Sequence, residues 1–213
     1  MSRPKPKVPR TPPNRLAREP DDVVDYAGIL WRVHRSKGEY VRPWNELRTY
    51  GPLASMRWDP HPGLSPATHP DGVLYAATDV ATSLAEVYQT TRVIDTRAGA
   101  PRLTAWQPTR PLRLLDLSGT WLLRNGASAA LLAAPRSICR RWAGAIYANW
   151  PELDGLYAPS TMTGQLSVAL WSAAADSIPT TPAFSRPLTQ PLVWSLAQAA
   201  AAEIATCLAW RGS

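Results

Sequence analysis

The chain has 213 residues, with 23 Lys and Arg against 16 Asp and Glu, so its formal net charge is +7. This length suits one domain with or without a tail, and 45% hydrophobic residues with ten tryptophans exclude a wholly disordered protein. No apolar run approaches the roughly 20 residues of a membrane-spanning helix, and no apolar segment follows the basic N-terminus. With only Cys139 and Cys207, far apart in sequence, we expect a cytoplasmic protein without a disulfide framework or structural zinc.

The positive charge is concentrated at the N-terminus. Residues 1–18 contain six basic side chains and no acidic one, whereas the remaining 195 residues are nearly neutral. Proline also recurs through this segment, which predicts a disordered or polyproline-like arm over residues 1–25. Such an arm is compatible with a solvated tail or with contacts to nucleic acid, but the nearly neutral body disfavours nucleic-acid binding by the domain itself.

From residue 26 onward, the pattern mixes strands and helices. Alternation predicts a strand over 28–35, followed by a proline-rich loop over 36–71 and a short buried strand over 72–77. Asp79 is a suitable N-cap for the helix that follows and carries Glu86. Further predicted elements are strands over 102–107, 112–117, 154–158 and 165–171, and helices over 127–134, 136–150 and 194–211. Without regular alternation, this order favours a single α+β domain over 26–213.

The common catalytic motifs are missing from the sequence. There is no glycine-rich dinucleotide or phosphate loop and no nucleophile elbow. The three histidines, His34, His61 and His69, lack the spacing of metal ligands on a helix. We therefore expect neither a metal nor a prosthetic group.

Five short segments in a fixed order carry a functional signal. They are LWRVHR with Arg32, MRWD with Arg57, GVLYAATDVATSLAEV with Tyr75 and Glu86, RSICRRWAGAIYANW with Ser137, and DGLYAPS with Ser160. Together they resemble the RES domain family, which is named for its Arg, Glu and Ser and includes toxins paired with Xre-type antitoxins. The resemblance extends from about residue 29 to residue 171. It departs from the family at Ser55-Met56, where glycine is usual, and through an apparent insertion over 61–71.

The resemblance implies an α+β fold related to ADP-ribosyltransferases and an activity that cleaves NAD+ at the nicotinamide–ribose bond. NAD+ is then a substrate, consumed by hydrolysis, by phosphorolysis or by transfer of ADP-ribose to protein. The implied partner is an Xre-type antitoxin, and self-association through Trp194 and Trp210 stays open. The positions that match the family's site residues are Arg32, Arg57, Tyr75, Glu86 and Ser137, with Ser160 as a second candidate serine.

These residue types suit the implied chemistry. Cleavage of an N-glycosidic bond develops oxocarbenium character on the ribose, which a carboxylate such as Glu86 stabilises. Arg32 and Arg57 offer the planar donors that suit a diphosphate, Tyr75 offers a ring for nicotinamide, and Ser137 lies near a predicted helix start.

Taken singly, each of these residues also has an ordinary structural explanation. Arg57, for example, is close enough in sequence to Asp59 to form a local ion pair. Two alternatives to NAD+ degradation therefore stay open. One is an ADP-ribosyltransferase that modifies a target protein. The other is a non-catalytic module that contacts nucleic acid through residues 3–18.

Overall fold

The computed structural model describes residues 6–203 and 209–211. Its strands are β1 (Val23–Tyr26), β2 (Leu30–Arg35), β3 (Arg48–Gly51), β4 (Ala67–Ala77), β5 (Val93–Asp95), β6 (Pro101–Trp106), β7 (Leu112–Asp116), β8 (Gly155–Pro159), β9 (Leu166–Trp171), β10 (Phe184–Pro187) and β11 (Ala209–Arg211). Its helices are α1 (Val80–Tyr88), α2 (Trp121–Arg124), α3 (Arg136–Asn149) and α4 (Pro191–Glu203). Short 3-10 turns occur at Pro20–Asp22, Ala129–Ala133 and Ser172–Ser177.

Within the described residues, nine strands form one mixed sheet. Its order is β1-β7-β8-β9-β4-β2-β6-β10, with β3 beside β4. The β7–β8 pair is parallel and its other pairs are antiparallel, while β5 and β11 form a separate parallel pair. The strands and helices do not alternate, so the predicted single α+β domain is confirmed.

The sheet has one face covered by helices and one covered by loops. On the helical face, Tyr75 of β4 packs against a cluster that includes Trp142 of α3, and Val33 of β2 lies in a second cluster with Leu84 of α1. On the opposite face, Leu30 of β2 packs in a cluster bordered by Trp44 of the loop after β2. Because side chains alternate along a strand, neighbouring residues of β2 and β4 serve opposite faces.

Helix α1 begins where the capping pattern predicts it. The Asp79 carboxylate accepts a hydrogen bond from the Thr82 backbone N–H at 2.7 Å, which satisfies one of the free donors of the first turn. Leu84 and Ala85 are fully buried against the sheet. The helix therefore carries Glu86 along the edge of the helical face, in its last turn.

The N-terminal segment corrects the expectation of a free arm. Residues 6–18 form an extended strap, here called the N-terminal strap, that lies across α2 and α3. The Ala17 carbonyl accepts from Trp121 Nε1 at 2.9 Å, and the Arg10 carbonyl accepts from Arg141 Nε at 2.7 Å. Leu16 is only 6% exposed within the main core. Proline-rich backbone forms no regular ladder, but distant side chains here satisfy its carbonyls. Residues 1–5 lie outside the described residues.

Other boundaries also differ from the sequence-based expectations. The predicted loop over 36–71 contains β3 and the first part of β4, which pair with each other. The predicted helix over 194–211 is wrong at its end, since Ala209–Arg211 pairs with β5 as a strand, whereas α4 covers Pro191–Glu203. Residues 204–208 of that prediction lie outside the described residues. Among the helices that the structure describes, none has the length and apolar character needed to cross a membrane.

Candidate functional site

The central feature of the candidate site is the carboxylate of Glu86, which is half-buried rather than directed into bulk solvent. Its Oε1 atom accepts a hydrogen bond from Ser160 Oγ at 2.5 Å. Its Oε2 atom lies 3.3 Å from Gln89 Nε2, which donates to it. Both carboxylate oxygens are therefore held by neutral donors, and no Lys, Arg or His side chain among residues 6–203 forms an ion pair with Glu86.

Ser160 is placed by the tight turn between β8 and β9. The Ser160 N–H donates to the Gln165 carbonyl at 2.7 Å, and Gly164 takes the left-handed conformation, with φ at +77°, that closes the turn. A hydrogen bond of 2.8 Å between Thr163 and Thr82 ties this turn to α1. Of the two candidate serines, Ser160 is the one in direct contact with Glu86.

Arg57 lies at the N-terminal end of α3. Its Nη1 atom donates to the Ala134 carbonyl at 2.6 Å and lies 3.3 Å from the Cys139 sulfur. Arg140, one turn into α3, donates to the carbonyls of Leu53, Ala54 and Met56 and so anchors the segment that carries Arg57. The guanidinium is thus held at the helix start through the packing of this segment on α3.

Ser137 is the second residue of α3 and is exposed. The helix begins after Pro135, with no side-chain cap and no acidic residue in its first turn. A helix start of this kind leaves backbone N–H groups free and favours anions. Ser137 is therefore not the N-cap, and it shares this end of α3 with Arg57 and Arg136.

A pair of side chains that sequence reasoning missed joins this helix start to Glu86. Arg136 Nη2 donates to Gln89 Oε1 at 2.8 Å, and Gln89 Nε2 donates to the Glu86 backbone carbonyl at 2.7 Å. The first residue of α3 is thereby linked to the last turn of α1. The Gln89–Glu86 contact could have been predicted from their spacing of three residues on one helix. The contact between Gln89 and Arg136 could not, because the two residues are 47 positions apart.

Tyr75 projects from β4 into the helical face. Its hydroxyl is buried and makes no well-formed hydrogen bond among the described residues. Burial raises the pKa of Tyr75 above its ordinary value, and the neighbouring Asp59 carboxylate raises it further. The phenol is thus neutral, with its proton available to an acceptor that enters the site.

Asp59 does not pair with Arg57, contrary to the local reading of the sequence. It is fully buried and accepts hydrogen bonds from Arg48 Nη2 at 2.7 Å, His61 Nδ1 at 2.5 Å and the Leu53 N–H at 2.9 Å. Burial alone would raise the pKa of Asp59, but the hydrogen bonds from His61 and Leu53 and the charge of Arg48 hold it below its usual range. This network fixes the loop beside Tyr75.

Arg32 is not brought to this group of residues. It faces the opposite side of the sheet, where its Nη1 atom donates to the Trp44 carbonyl at 2.7 Å. It pairs across the strands with Thr104, whose hydroxyl contacts His34 on the same face. Burial lowers the pKa of Arg32 to about 10. The expected convergence of the Arg32 and Arg57 guanidiniums is therefore not found.

The structure thus brings Ser160 into contact with Glu86 and links Glu86, through Gln89 and Arg136, to the start of α3. Arg57 and Ser137 lie at that helix start, and Tyr75 lies on β4. A separate groove of about 480 Å³ lies between β2 and the C-terminal end of α1, lined by His34 and Tyr88 among others, and holds none of the predicted site residues. In the described ranges, no group of three or more His, Cys, Asp and Glu side chains is placed to hold a metal ion.

Comparisons with known proteins agree with this architecture. A model of the RES domain matches residues 29–195. Curated protein sequences give no significant match. Among solved structures, a chain of the M. tuberculosis MbcT–MbcA toxin–antitoxin complex superposes with a TM-score of 0.55, covering 82% of this chain and 91% of that chain at 16% identity. A likeness at this identity establishes a shared fold.

Proposed function

The chain belongs to the RES domain family, and on that premise we propose that it is the toxin of a toxin–antitoxin pair that cleaves NAD+ at the nicotinamide–ribose bond. The observation that carries the proposal is the Glu86 carboxylate, which Ser160 Oγ holds at 2.5 Å and which Gln89 links to Arg136, the first residue of α3. A fixed anion next to a cationic surface suits a substrate with a cationic ring at one end and a diphosphate in the middle.

Glu86 is the catalytic residue of this proposal. As the glycosidic bond breaks, both bonding electrons leave with the nicotinamide ring, and positive charge develops on C1′ and O4′ of the ribose. A carboxylate in a half-buried site stabilises that charge more strongly than water does. The nicotinamide leaves as a neutral molecule, so the reaction needs no strong general acid at the leaving group.

Ser160 keeps the carboxylate in one orientation. A carboxylate only accepts hydrogen bonds, so the Ser160 hydroxyl donates to Glu86 while its oxygen accepts from the Met162 N–H at 3.1 Å. The Met162 N–H therefore donates to Ser160, and the Ser160 hydroxyl donates to Glu86. The carboxylate is thereby pre-organised before the substrate arrives.

The diphosphate of NAD+ is assigned to the start of α3. Arg57 supplies a guanidinium, and the uncapped helix start supplies backbone N–H groups and the exposed Ser137 hydroxyl. The ring and the buried hydroxyl of Tyr75 are left for the nicotinamide ribose. Arg32 has no part in this assignment, because it lies on the opposite face of the sheet.

The proposed partner is an antitoxin protein. The solved structure of similar fold is a toxin–antitoxin complex, and an enzyme that consumes NAD+ has to be held inactive in the cell that makes it. The resemblance to the family assigns that antitoxin to the Xre type.

The test is incubation of the purified protein with NAD+ labelled in its adenosine part, with and without phosphate. Hydrolysis adds water oxygen to C1′ and gives free ADP-ribose, nicotinamide and a proton. Phosphorolysis gives the ADP-ribose 1″-phosphate instead, and transfer places the label on protein. Each product identifies one acceptor, so the same assay separates NAD+ degradation from ADP-ribosyltransferase activity.

Glu86→Gln removes the charge but keeps the size of the side chain. We expect it to lower the rate of NAD+ cleavage by about 100- to 1,000-fold, the usual effect of removing a group that stabilises transition-state charge. Glu39→Gln makes the same chemical change in an exposed loop and is the matched control. If the wild-type protein leaves NAD+ intact in the presence of every acceptor, the proposed function is wrong.

A further inference from the structure

Two side chains outside the family's named set form a series that ends at the proposed catalytic carboxylate: Gln89 contacts Glu86, and Arg136 contacts Gln89. Gln89 closes α1, and its amide lies between Glu86 on the same helix and Arg136 on α3. We propose that Gln89 and Arg136 are positioning residues that set the orientation of the Glu86 carboxylate. This inference rests on the proposed NAD+ cleavage and extends it to residues that do not touch the substrate.

The donor and acceptor of each hydrogen bond between Arg136, Gln89 and Glu86 follow from the chemistry of the side chains. Arginine only donates, so the Gln89 oxygen must face Arg136, at 2.8 Å. The Gln89 amide nitrogen must then face Glu86, where it donates to the backbone carbonyl at 2.7 Å and to Oε2 at 3.3 Å. Arg136 and the two acceptor oxygens of Glu86 therefore require the same orientation of the Gln89 amide.

The hydrogen bond from Gln89 to Glu86 complements the hydrogen bond from Ser160. Ser160 donates to Oε1 and Gln89 donates to Oε2, so each oxygen of the carboxylate has its own donor. A single hydrogen bond would leave rotation about the last bond of the side chain free, since terminal carboxylate torsions are broad. Two donors from separate elements restrict it.

The hydrogen bonds between Arg136, Gln89 and Glu86 also connect the two halves of the proposed site. Arg136 is the first residue of α3 and adjoins Ser137, whereas Glu86 lies on α1. The diphosphate end and the ribose end of the site are thus held in register through one amide. A displacement of about 1 Å between reacting groups can lower a rate by about 100-fold.

The decisive variant is Gln89→Glu. The new carboxylate keeps the link to Arg136 as an ion pair, so the tie between α1 and α3 is retained. It loses the donor toward Glu86 Oε2 and sets a second negative charge beside it. We expect kcat for NAD+ cleavage to fall about 10- to 100-fold, with KM for NAD+ within about twofold of wild type and with no decrease in Tm.

Arg136→Met tests the other end of the chain. It should lower kcat in the same range, and the Gln89→Met and Arg136→Met double variant should be no slower than the slower single variant, because both act through one carboxylate. Gln190→Glu, an exposed position before α4, is the matched control and should keep wild-type kinetics.

The outcomes separate this inference from the function on which it rests. If wild type cleaves NAD+ and Glu86→Gln does not, but Gln89→Glu keeps its kcat, the positioning role is refuted. A rise in KM with unchanged kcat for Arg136→Met also refutes it, because Arg136 then binds substrate directly. A wild-type protein that does not cleave NAD+ overturns the proposed function itself.

Discussion

The docking of the N-terminal strap can be tested through Leu16. This side chain is 6% exposed and packs in the main core with Trp121 and Trp142. Replacing a buried Leu by Ala costs about 2–5 kcal/mol, depending on how far the surroundings relax into the cavity. Because the strap lies at the edge of the core and can shift, we expect Leu16→Ala to lower the free energy of unfolding by about 2–3 kcal/mol.

For a chain of this length, each kcal/mol corresponds to a shift of about 2–4 °C in Tm. Leu16→Ala should therefore lower Tm by about 5–10 °C in thermal unfolding followed by circular dichroism. Leu64→Ala is the matched control, because Leu64 is 100% exposed and its truncation should change stability by less than about 0.5 kcal/mol. Equal Tm values for the two variants would refute the docking of the strap. At temperatures below both transitions, NAD+ cleavage should be unchanged in either variant.

Two further predictions concern the two candidate serines and the pH dependence of stability. Ser160→Ala should lower kcat for NAD+ cleavage about 10- to 100-fold because it frees the Glu86 carboxylate, whereas Ser137→Ala should act on KM; a larger kcat effect at Ser137 in steady-state kinetics would contradict the assignment. Burial and the charge of Arg32 lower the pKa of His34 to about 4, below about 6.5 in the unfolded chain. The unfolded state therefore binds the proton first as pH falls, so about 1–2 kcal/mol of stability should be lost between about pH 6.5 and pH 4. In urea unfolding, the free energy of unfolding of His34→Gln should lack this part of the pH dependence. If it falls between about pH 6.5 and pH 4 as steeply as that of wild type, the prediction is wrong.

Elements with local signals could be predicted from the amino-acid sequence. Alternating side chains predicted β2, a short apolar run predicted the buried part of β4, and Asp79 predicted the start of α1. The order of five short segments, which carry Arg32, Arg57, Tyr75 with Glu86, Ser137 and Ser160, predicted the family, and the match over residues 29–195 confirms it. These signals need only the period of a strand, the geometry of a cap or the spacing within a motif.

Which of these residues come into contact depends on how distant segments pack. Arg32 has the expected residue type on the expected strand, yet its face depends on which side of the sheet the helices cover, and β2 does not encode that. Ser160 contacts Glu86 across 74 positions and Arg136 contacts Gln89 across 47. The proline-rich strap has no periodic signal, because its carbonyls are satisfied by side chains of α2 and α3. Contacts between distant segments arise from the packing of the whole chain, and no window of neighbouring residues records them.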